Sequence, residues 1–313
     1  MKDLITLAGL RPGMVAALLG PVPAEPLLAG TTVPVVLPES AVPDRLAAAA
    51  AVVALGGLPM SMTPIDLLGY ASDYAGLAAP LSAFGRVALA GLPSQRTMQG
   101  VADHATVPVL NLGTGAERPL HALADLRMLS AEWGGLAGRR VTYIGLAGAA
   151  QQSLAQACAL TGVDLLVAGP ATGRTLREAV AGADAVFLGN WTDRSTPALL
   201  AAARHALLAR FRLTPELLAL TRPGAPVLHE GPCRPGVEVD GRVAKEHRCR
   251  LRQQRQALTE TLQAAIGTVL QGRSEREPRA AVPAGARHLN GEHPNGAESR
   301  TLPYPRYSGD PSV

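Results

Sequence analysis

Four polar side chains lie in pairs at positions where proteins commonly bind anions and move protons. Arg118 and His121 stand at the start of a predicted helix, and His229 and Glu230 are adjacent at the end of a predicted strand. An arginine and a histidine beside a helix N-terminus favour an anion, because free N–H groups and the helix dipole carry positive potential there. A histidine next to a glutamate can move protons near neutral pH. Each pair also has a structural interpretation, as a capped helix start with solvated charges or as a histidine held at a strand end.

Two further segments follow predicted strands. Trp191, with Asp193 two residues later, either lines a cleft or packs over a helix. Gly145-Leu146-Ala147-Gly148 is similar to part of a dinucleotide-binding fingerprint, but the third glycine is missing. The acidic residue expected at the end of the next strand is missing too. We interpret this segment as a tight strand-to-helix turn and predict no cofactor.

The elements that position these residues alternate between short aliphatic runs and helical segments. Strands are predicted at 32–37, 87–90, 107–110, 141–144, 165–168, 185–188 and 227–228. Helices are predicted at 44–54, 97–104, 119–133, 153–160, 174–181, 197–209 and 250–270. This alternation predicts an α/β fold with parallel sheets covered by helices on both faces.

The alternating series restarts near residue 136. We therefore expect two doubly wound parallel-sheet domains, at 1–135 and 136–271. Residues 272–313 hold many Pro, Gly, Arg and Glu and few aliphatic side chains. Such a composition buries too little surface to fold alone, so a disordered tail is predicted.

Composition excludes several classes of protein. Only 3% of the 313 residues are aromatic and the net charge is +4, without a dense Lys/Arg block. Both facts argue against a nucleic-acid partner. The three cysteines include no CxxC pair, which argues against a zinc ribbon and fits a reducing cytoplasm. The apolar run at 46–58 is too short to cross a bilayer. We expect a cytoplasmic protein with no membrane contact and no metal.

Segments from both halves of the chain share their order and spacing with one known family. They are Asp3 to Leu10, Leu27 to Val33, Thr106 to Asn111, Glu117 to Leu126, Gly134 to Gly145 and His229 to Val239. In this order they resemble the aspartate/ornithine carbamoyltransferases, the ornithine type more closely, over residues 1 to about 270. The resemblance implies that the terminal helix packs back on the first domain. It also implies a homotrimer through the first domains, with the active site between subunits.

The resemblance places the family's phosphate-binding motifs on altered residues. Its Ser-Thr-Arg-Thr-Arg motif falls on residues 41–45, where only Arg45 is kept and Asp44 adds a negative charge. The His and Gln of its His-Pro-x-Gln motif fall on Arg118 and His121. Two further family arginines fall on Gly91 and Ala257. Each lost charge-assisted contact is worth about 1.5–3 kcal/mol, so ordinary carbamoyl phosphate binding is expected to be weak.

The amino-acid side of the site is altered as well. The Cys of the family's His-Cys-Leu-Pro motif is Glu230, and its ornithine-binding motif keeps only Trp191. We therefore carry two hypotheses. One is a carbamoyltransferase-like enzyme with a carbamoyl phosphate-like donor and an altered amine or amino acid acceptor. The other is a non-catalytic homologue that binds a partner or metabolite. The predicted catalytic residues are Arg118, His121, His229 and Glu230. The predicted substrate-binding residues are Arg45, Asn111, Trp191 and Asp193.

Overall fold

The structure is a computed structural model that describes residues 1–192 and 196–274, and these residues build two four-stranded sheets. The first sheet contains β1 (Thr32–Val36), β2 (Leu58–Met62), β3 (Ala88–Gly91) and β4 (Val109–Gly113), in the order β2-β1-β3-β4. The second contains β5 (Arg140–Ile144), β6 (Asp164–Ala168), β7 (Ala185–Leu188) and β8 (Val227–His229), in the order β6-β5-β7-β8. All neighbouring strands within each sheet pair in parallel. The predicted α/β fold with two parallel sheets is confirmed.

Helices connect the strands and flank both sheets. Those between residues 12 and 133 are α1 (Pro12–Leu19), α2 (Val42–Ala54), α3 (Pro64–Tyr70), α4 (Tyr74–Phe84), α5 (Gln95–His104) and α6 (Pro119–Trp133). Those that follow are α7 (Ala149–Thr161), α8 (Leu176–Val180), α9 (Ala198–Leu208), α10 (Pro215–Leu218), α11 (Gly241–Ala244) and α12 (Leu251–Ser274). A short 3₁₀ turn, Ala209–Phe211, follows α9.

The strand order fixes where a ligand can bind. In each sheet the chain moves outward from one central strand and then returns to its other side, so β1 lies beside β3 and β5 beside β7. At such a reversal the loops leaving the two strands diverge and open a crevice at their carboxyl ends. The residues that follow β1, β3, β5 and β7 are therefore the ones that this strand order places to form a site.

Helix α6 joins the two sheets and positions two of the candidate residues. Proline at its first position has no N–H that would lack a partner there, and Gly134 ends the helix with a left-handed φ of 71°. Leucines spaced by three form a fully buried stripe, namely Leu120, Leu123, Leu126 and Leu129. Each such side chain contributes about 1.5–3 kcal/mol by leaving water. The buried leucines therefore hold α6 in place, and with it the side chains that α6 directs away from this stripe.

Helix α12 packs against α1, α2 and α6. Its inner face is apolar and buried, through Leu258, Leu262, Ile266 and Val269. The hydrophobic core in which it lies is continuous from Val35 and Leu89 of the first sheet to Val141 and Phe187 of the second. The last helix thus lies over the first part of the chain, beside α2.

Several elements differ from the sequence-based prediction. Strand β2 and helices α3 and α4 were not predicted, and α12 continues to Ser274 instead of ending near residue 270. Residues 275–313, which hold most of the predicted tail, lie outside the described residues. The division into domains at residue 136 stays a prediction. Among the helices of the described ranges, none is long and apolar enough to cross a membrane.

Candidate active site

A cleft of about 1250 Å³ opens at the carboxyl ends of the strands of both sheets. Residues from the loops after β1, β4, β5, β7 and β8 line it, and one face of α12 completes the wall. Of the predicted residues, the cleft brings together Arg118, His121, Trp191, His229 and Glu230. Cleft volumes of this order accommodate small-molecule substrates.

Arg118 is the centre of the polar residues in the cleft. It directly precedes α6, and its backbone N–H donates to the Ser153 hydroxyl over 2.8 Å. Its guanidinium donates to Glu230 Oε1 over 3.0 Å and lies 3.0 Å from His121 Nε2. It also lies 3.5 Å from Asp44 Oδ2. One arginine therefore joins three elements, because Asp44 is on α2 and Glu230 follows β8.

Asp44 is the member of this group that the sequence analysis treated only as a repelling charge. It lies in the first turn of α2, and its Oδ1 is 3.2 Å from His121 Nε2. Burial acts to raise the pKa of Asp44, but the charges of His121, Arg118 and Arg255 outweigh it and lower that pKa to about 2. Asp44 is thus a carboxylate over the whole physiological pH range, surrounded by cationic or hydrogen-bonding groups.

Glu230 is held on both of its oxygens. Oε1 accepts from Arg118, and Oε2 accepts from the backbone N–H of Asn190 over 3.0 Å. The side chains of Asp44, Arg118, His121 and Glu230 are each about one-fifth exposed. We call these four residues the polar cluster. Ion pairs at this depth are stronger than surface pairs, since less water screens them.

His229 has the environment of a hydrogen-bond donor rather than a base. Its Nδ1 accepts from the backbone N–H of Gly231 over 2.7 Å, so the neutral ring carries its proton on Nε2. Burial, with a smaller contribution from the charge of Arg234, lowers the pKa of His229 to about 4. The ring is therefore neutral at pH 7. The expected proton transfer by His229 near neutral pH is not favoured by this geometry.

Gln254 of α12 fixes the position of His229. Its Oε1 accepts from the His229 backbone N–H over 3.0 Å, and its Nε2 donates to the His229 carbonyl over 3.2 Å. The same Nε2 donates to Asp125 Oδ1 over 2.8 Å. Gln254 thereby ties α12, α6 and the end of β8 together.

Asp125 is a buried carboxyl in the cleft wall that the sequence analysis missed. Burial raises its pKa to about 7, with a smaller increase from Glu230, against the hydrogen bond from Gln254 and the charge of Arg118. A carboxyl with such a pKa can accept or release a proton near neutral pH. A sequence signal existed: Arg118, His121 and Asp125 are spaced i, i+3, i+7 and therefore share one face of α6.

Two of the predicted substrate-binding residues, Arg45 and Asn111, lie away from the cleft wall. Arg45 points to β2, where its guanidinium donates to the Ser61 hydroxyl over 3.0 Å. Asn111 is fully buried and donates to the Ile5 carbonyl over 2.9 Å. Asp193 lies outside the described residues. Trp191, by contrast, lines the cleft with a nearly buried ring.

The described residues offer no evident metal site. In residues 1–192 and 196–274, no group of three His, Cys, Asp or Glu side chains is arranged to hold an ion. The turn at 145–148 forms part of the cleft wall and supplies backbone and small apolar side chains. The chemistry that the cleft supports is therefore built from the polar cluster, His229 and Asp125.

Comparisons with known proteins identify relatives over most of the chain. No family model matches the chain. An ornithine carbamoyltransferase of Acidothermus cellulolyticus is 30% identical over an alignment of 245 residues, and the match covers 70% of this chain and 78% of that protein. One of Cenarchaeum symbiosum is 29% identical over 69% of this chain and 78% of that protein.

A solved structure agrees with these relatives. The crystal structure of ornithine carbamoyltransferase from Thermus thermophilus superposes with a TM-score of 0.78 at 27% identity. The match covers 86% of this chain and 99% of that one. The sequence relatives and the shared architecture together place the chain in the aspartate/ornithine carbamoyltransferase family.

Proposed function

We propose that this protein is a carbamoyltransferase-like transferase that acts on an amine or amino acid, with a specificity different from that of its ornithine carbamoyltransferase relatives. The observation that carries the proposal is the polar cluster, in which Asp44, Arg118, His121 and Glu230 converge at the carboxyl ends of the strands. These four contacting side chains in a large cleft support a functional site whose residues differ from those of the relatives.

The reaction class sets what the side chains must do. In carbamoyl transfer, a neutral amine nitrogen attacks the donor's carbonyl carbon, the bond from that carbon to the leaving group breaks, and the amine loses a proton. Negative charge develops on the carbonyl oxygen, which hydrogen-bond donors stabilise. Arg118 is the donor that we assign to this oxygen, whereas the buried Nε2 of His229 lies 3.9 Å from Glu238 Oε2. Asp125, with a pKa raised to about 7, is suited to accept the proton.

The remaining residues orient these groups. Glu230 and Asp44 hold the guanidinium of Arg118 from two sides, and Gln254 holds His229. Trp191 forms an apolar wall suited to the carbon chain of an amine or amino acid acceptor. A donor that shares the carbamoyl group of carbamoyl phosphate, though not its phosphate dianion, and an amino acid-like acceptor follow from the family relationship. No cofactor is required.

One observation favours a second candidate, a non-catalytic homologue that binds a metabolite. Arg118 is already paired with two carboxylates of its own chain. Ala257, aligned above with a family arginine, is buried in the core and carries no charge. A cation that is already paired with carboxylates of its own chain attracts an anionic ligand less strongly.

We also propose a homotrimer that assembles through the first sheet. Edge strand β2 and the helix after it expose large apolar side chains, with Leu58 63%, Ile65 82% and Tyr70 69% exposed. Apolar surface of this kind beside an open sheet edge is typical of an interface between subunits. A cytoplasmic location remains a prediction from the cysteine content.

The test is a product screen with the full chain. Amines, including ornithine, lysine and putrescine, would be incubated with carbamoyl phosphate or with phenyl carbamate, an uncharged carbamoyl ester. Mass spectrometry would detect the ureido product. We expect one amine to be carbamoylated by the wild type but not by Arg118→Ala. Arg252→Ala, a charge removed from the exposed face of α12, is the matched control. Absence of any product, together with stabilisation by a bound amine, would favour the second candidate.

A further inference from the structure

We propose that Asp44 is a resident anion that determines the charge of the ligand accepted beside Arg118. While its carboxylate is in place, the cleft excludes a phosphate dianion and admits an uncharged or singly charged ligand. The inference deepens the proposed function and rests on it for the identity of the cleft, but its test requires no turnover.

The contacts of Asp44 are those expected of a bound anion. Its two oxygens are directed at different partners, with Oδ1 at 3.2 Å from His121 Nε2 and Oδ2 at 3.5 Å from the Arg118 guanidinium. Arg255 of α12 lines the same cleft, and its charge acts on the same carboxylate. Two side chains from α6 and its N-cap therefore contact one carboxylate.

The start of α2 adds to this site. The N-cap position, Ala41, has no side chain that caps the helix, and Pro43 lies at the next-to-first position. The uncapped turn leaves positive potential that an anion can use. The acidic side chain within this turn is that of Asp44 itself. A side chain of the protein thus supplies the charge that an external anion would otherwise bring.

The other charged groups around the cleft do not remove the negative charge beside Arg118. Glu230 adds a second carboxylate on the far side of Arg118, while Arg204 and Arg234 lie on the wall formed by the second sheet. Beside Arg118 a dianion would meet two fixed carboxylates, and like charges brought together in a partly buried site repel strongly. A neutral carbamoyl group would instead receive hydrogen bonds from Arg118 without such repulsion.

The test measures binding of inorganic phosphate and of carbamoyl phosphate by thermal unfolding and calorimetry. We expect no stabilisation of the wild type at ligand concentrations on the order of 1–10 mM. In Asp44→Asn and Asp44→Ser, we expect phosphate to bind on the order of 100-fold more tightly than in the wild type, because the repelling charge is gone. Glu39→Gln removes the same charge from an exposed position in the loop that precedes α2, and this variant should resemble the wild type.

Two further variants assign the gain to this site. Asp44→Glu keeps the charge and should show no gain, and Arg118→Ala combined with Asp44→Asn should lose it. The inference is overturned if the wild type binds phosphate as tightly as Asp44→Asn, or if both uncharged variants fold and gain nothing. A gain in phosphate affinity without any carbamoylated amine would leave the inference standing and count against the proposed function.

Discussion

Replacing the buried acid Asp125 by asparagine should make the protein more stable above pH 7. Burial is the largest influence on this carboxyl and raises its pKa from the ordinary 3.8 to about 7. Between these two values the folded state holds a proton that the unfolded state has lost, so stability rises as pH falls from 7 towards 4. At pH 8 the buried carboxylate is ionised and costs stability. The amide of the substituted asparagine would keep an oxygen for Gln254 and carry no charge.

The magnitude follows from the two pKa values. At 1.36 kcal/mol per pKa unit, a change from 3.8 to about 7 corresponds to about 4 kcal/mol between pH 4 and pH 8. Asp125→Asn should therefore gain up to about 4 kcal/mol over the wild type at pH 8, and the two curves should converge towards pH 4. Other titrating groups act equally in both proteins and cancel in the difference.

The assay is urea unfolding of both proteins at intervals between pH 4 and pH 8. Asp103→Asn, a carboxyl removed from the exposed face of α5, is the matched control and should follow the wild type. Parallel curves for Asp125→Asn and the wild type would mean that the carboxyl of Asp125 titrates in the folded protein at its ordinary pKa, contrary to this prediction. A loss of stability at every pH would show instead that the carboxylate is needed by the fold.

Three other outcomes are expected. Gln254→Leu should lower the free energy of unfolding, measured in urea, by about 1–3 kcal/mol, because it leaves the backbone N–H of His229 without a partner. The exposed control Gln253→Leu should change that free energy little, and equal effects of the two variants would contradict the prediction. Sedimentation at micromolar concentration should show a trimer that Ile65→Lys weakens, and a strict monomer of the wild type would exclude the proposed assembly. Deleting residues 275–313 should leave the melting temperature within error, and a drop of several degrees would show that this segment packs on the rest of the chain.

Local sequence signals predicted the elements that have clear boundaries. Helix α6 was predicted residue for residue, because Pro119 fits only its first turn and Gly134 adopts the left-handed conformation that ends it. Strand β7 was predicted in full for a related reason, since a short apolar run buried on both faces lies between turns. Such signals depend only on residues a few positions apart, so they can be interpreted without the rest of the fold.

Elements whose residues are determined by distant contacts were missed. Strand β2 lies at the edge of its sheet, exposes Leu58 and Met60, and includes a proline. Neither alternation nor a buried run therefore marks it. Helices α3 and α4 follow it in a segment with few charges, and α4 contains Pro80, which argues against a helix in sequence-based reasoning.

The position of the site could be predicted from the sequence, but the directions and contacts of its side chains could not. The sequence predicted Arg118 and His121 at a helix start and His229 and Glu230 at a strand end, and these two positions meet in the cleft. It did not give side-chain directions: on a helix, Arg45 is turned about 100° from Asp44 and points to β2 instead. The tautomer of His229 depends on the N–H of Gly231 and likewise follows only from the folded backbone.

We propose that the cleft differs from its relatives in specificity and shares their reaction class. A steady-state assay of citrulline formation from ornithine and carbamoyl phosphate measures this difference in one experiment. With Asp44 and Glu230 on either side of Arg118, we expect little or no citrulline from the wild type. Turnover at a rate common for enzymes, on the order of 10 per second, would contradict this proposal.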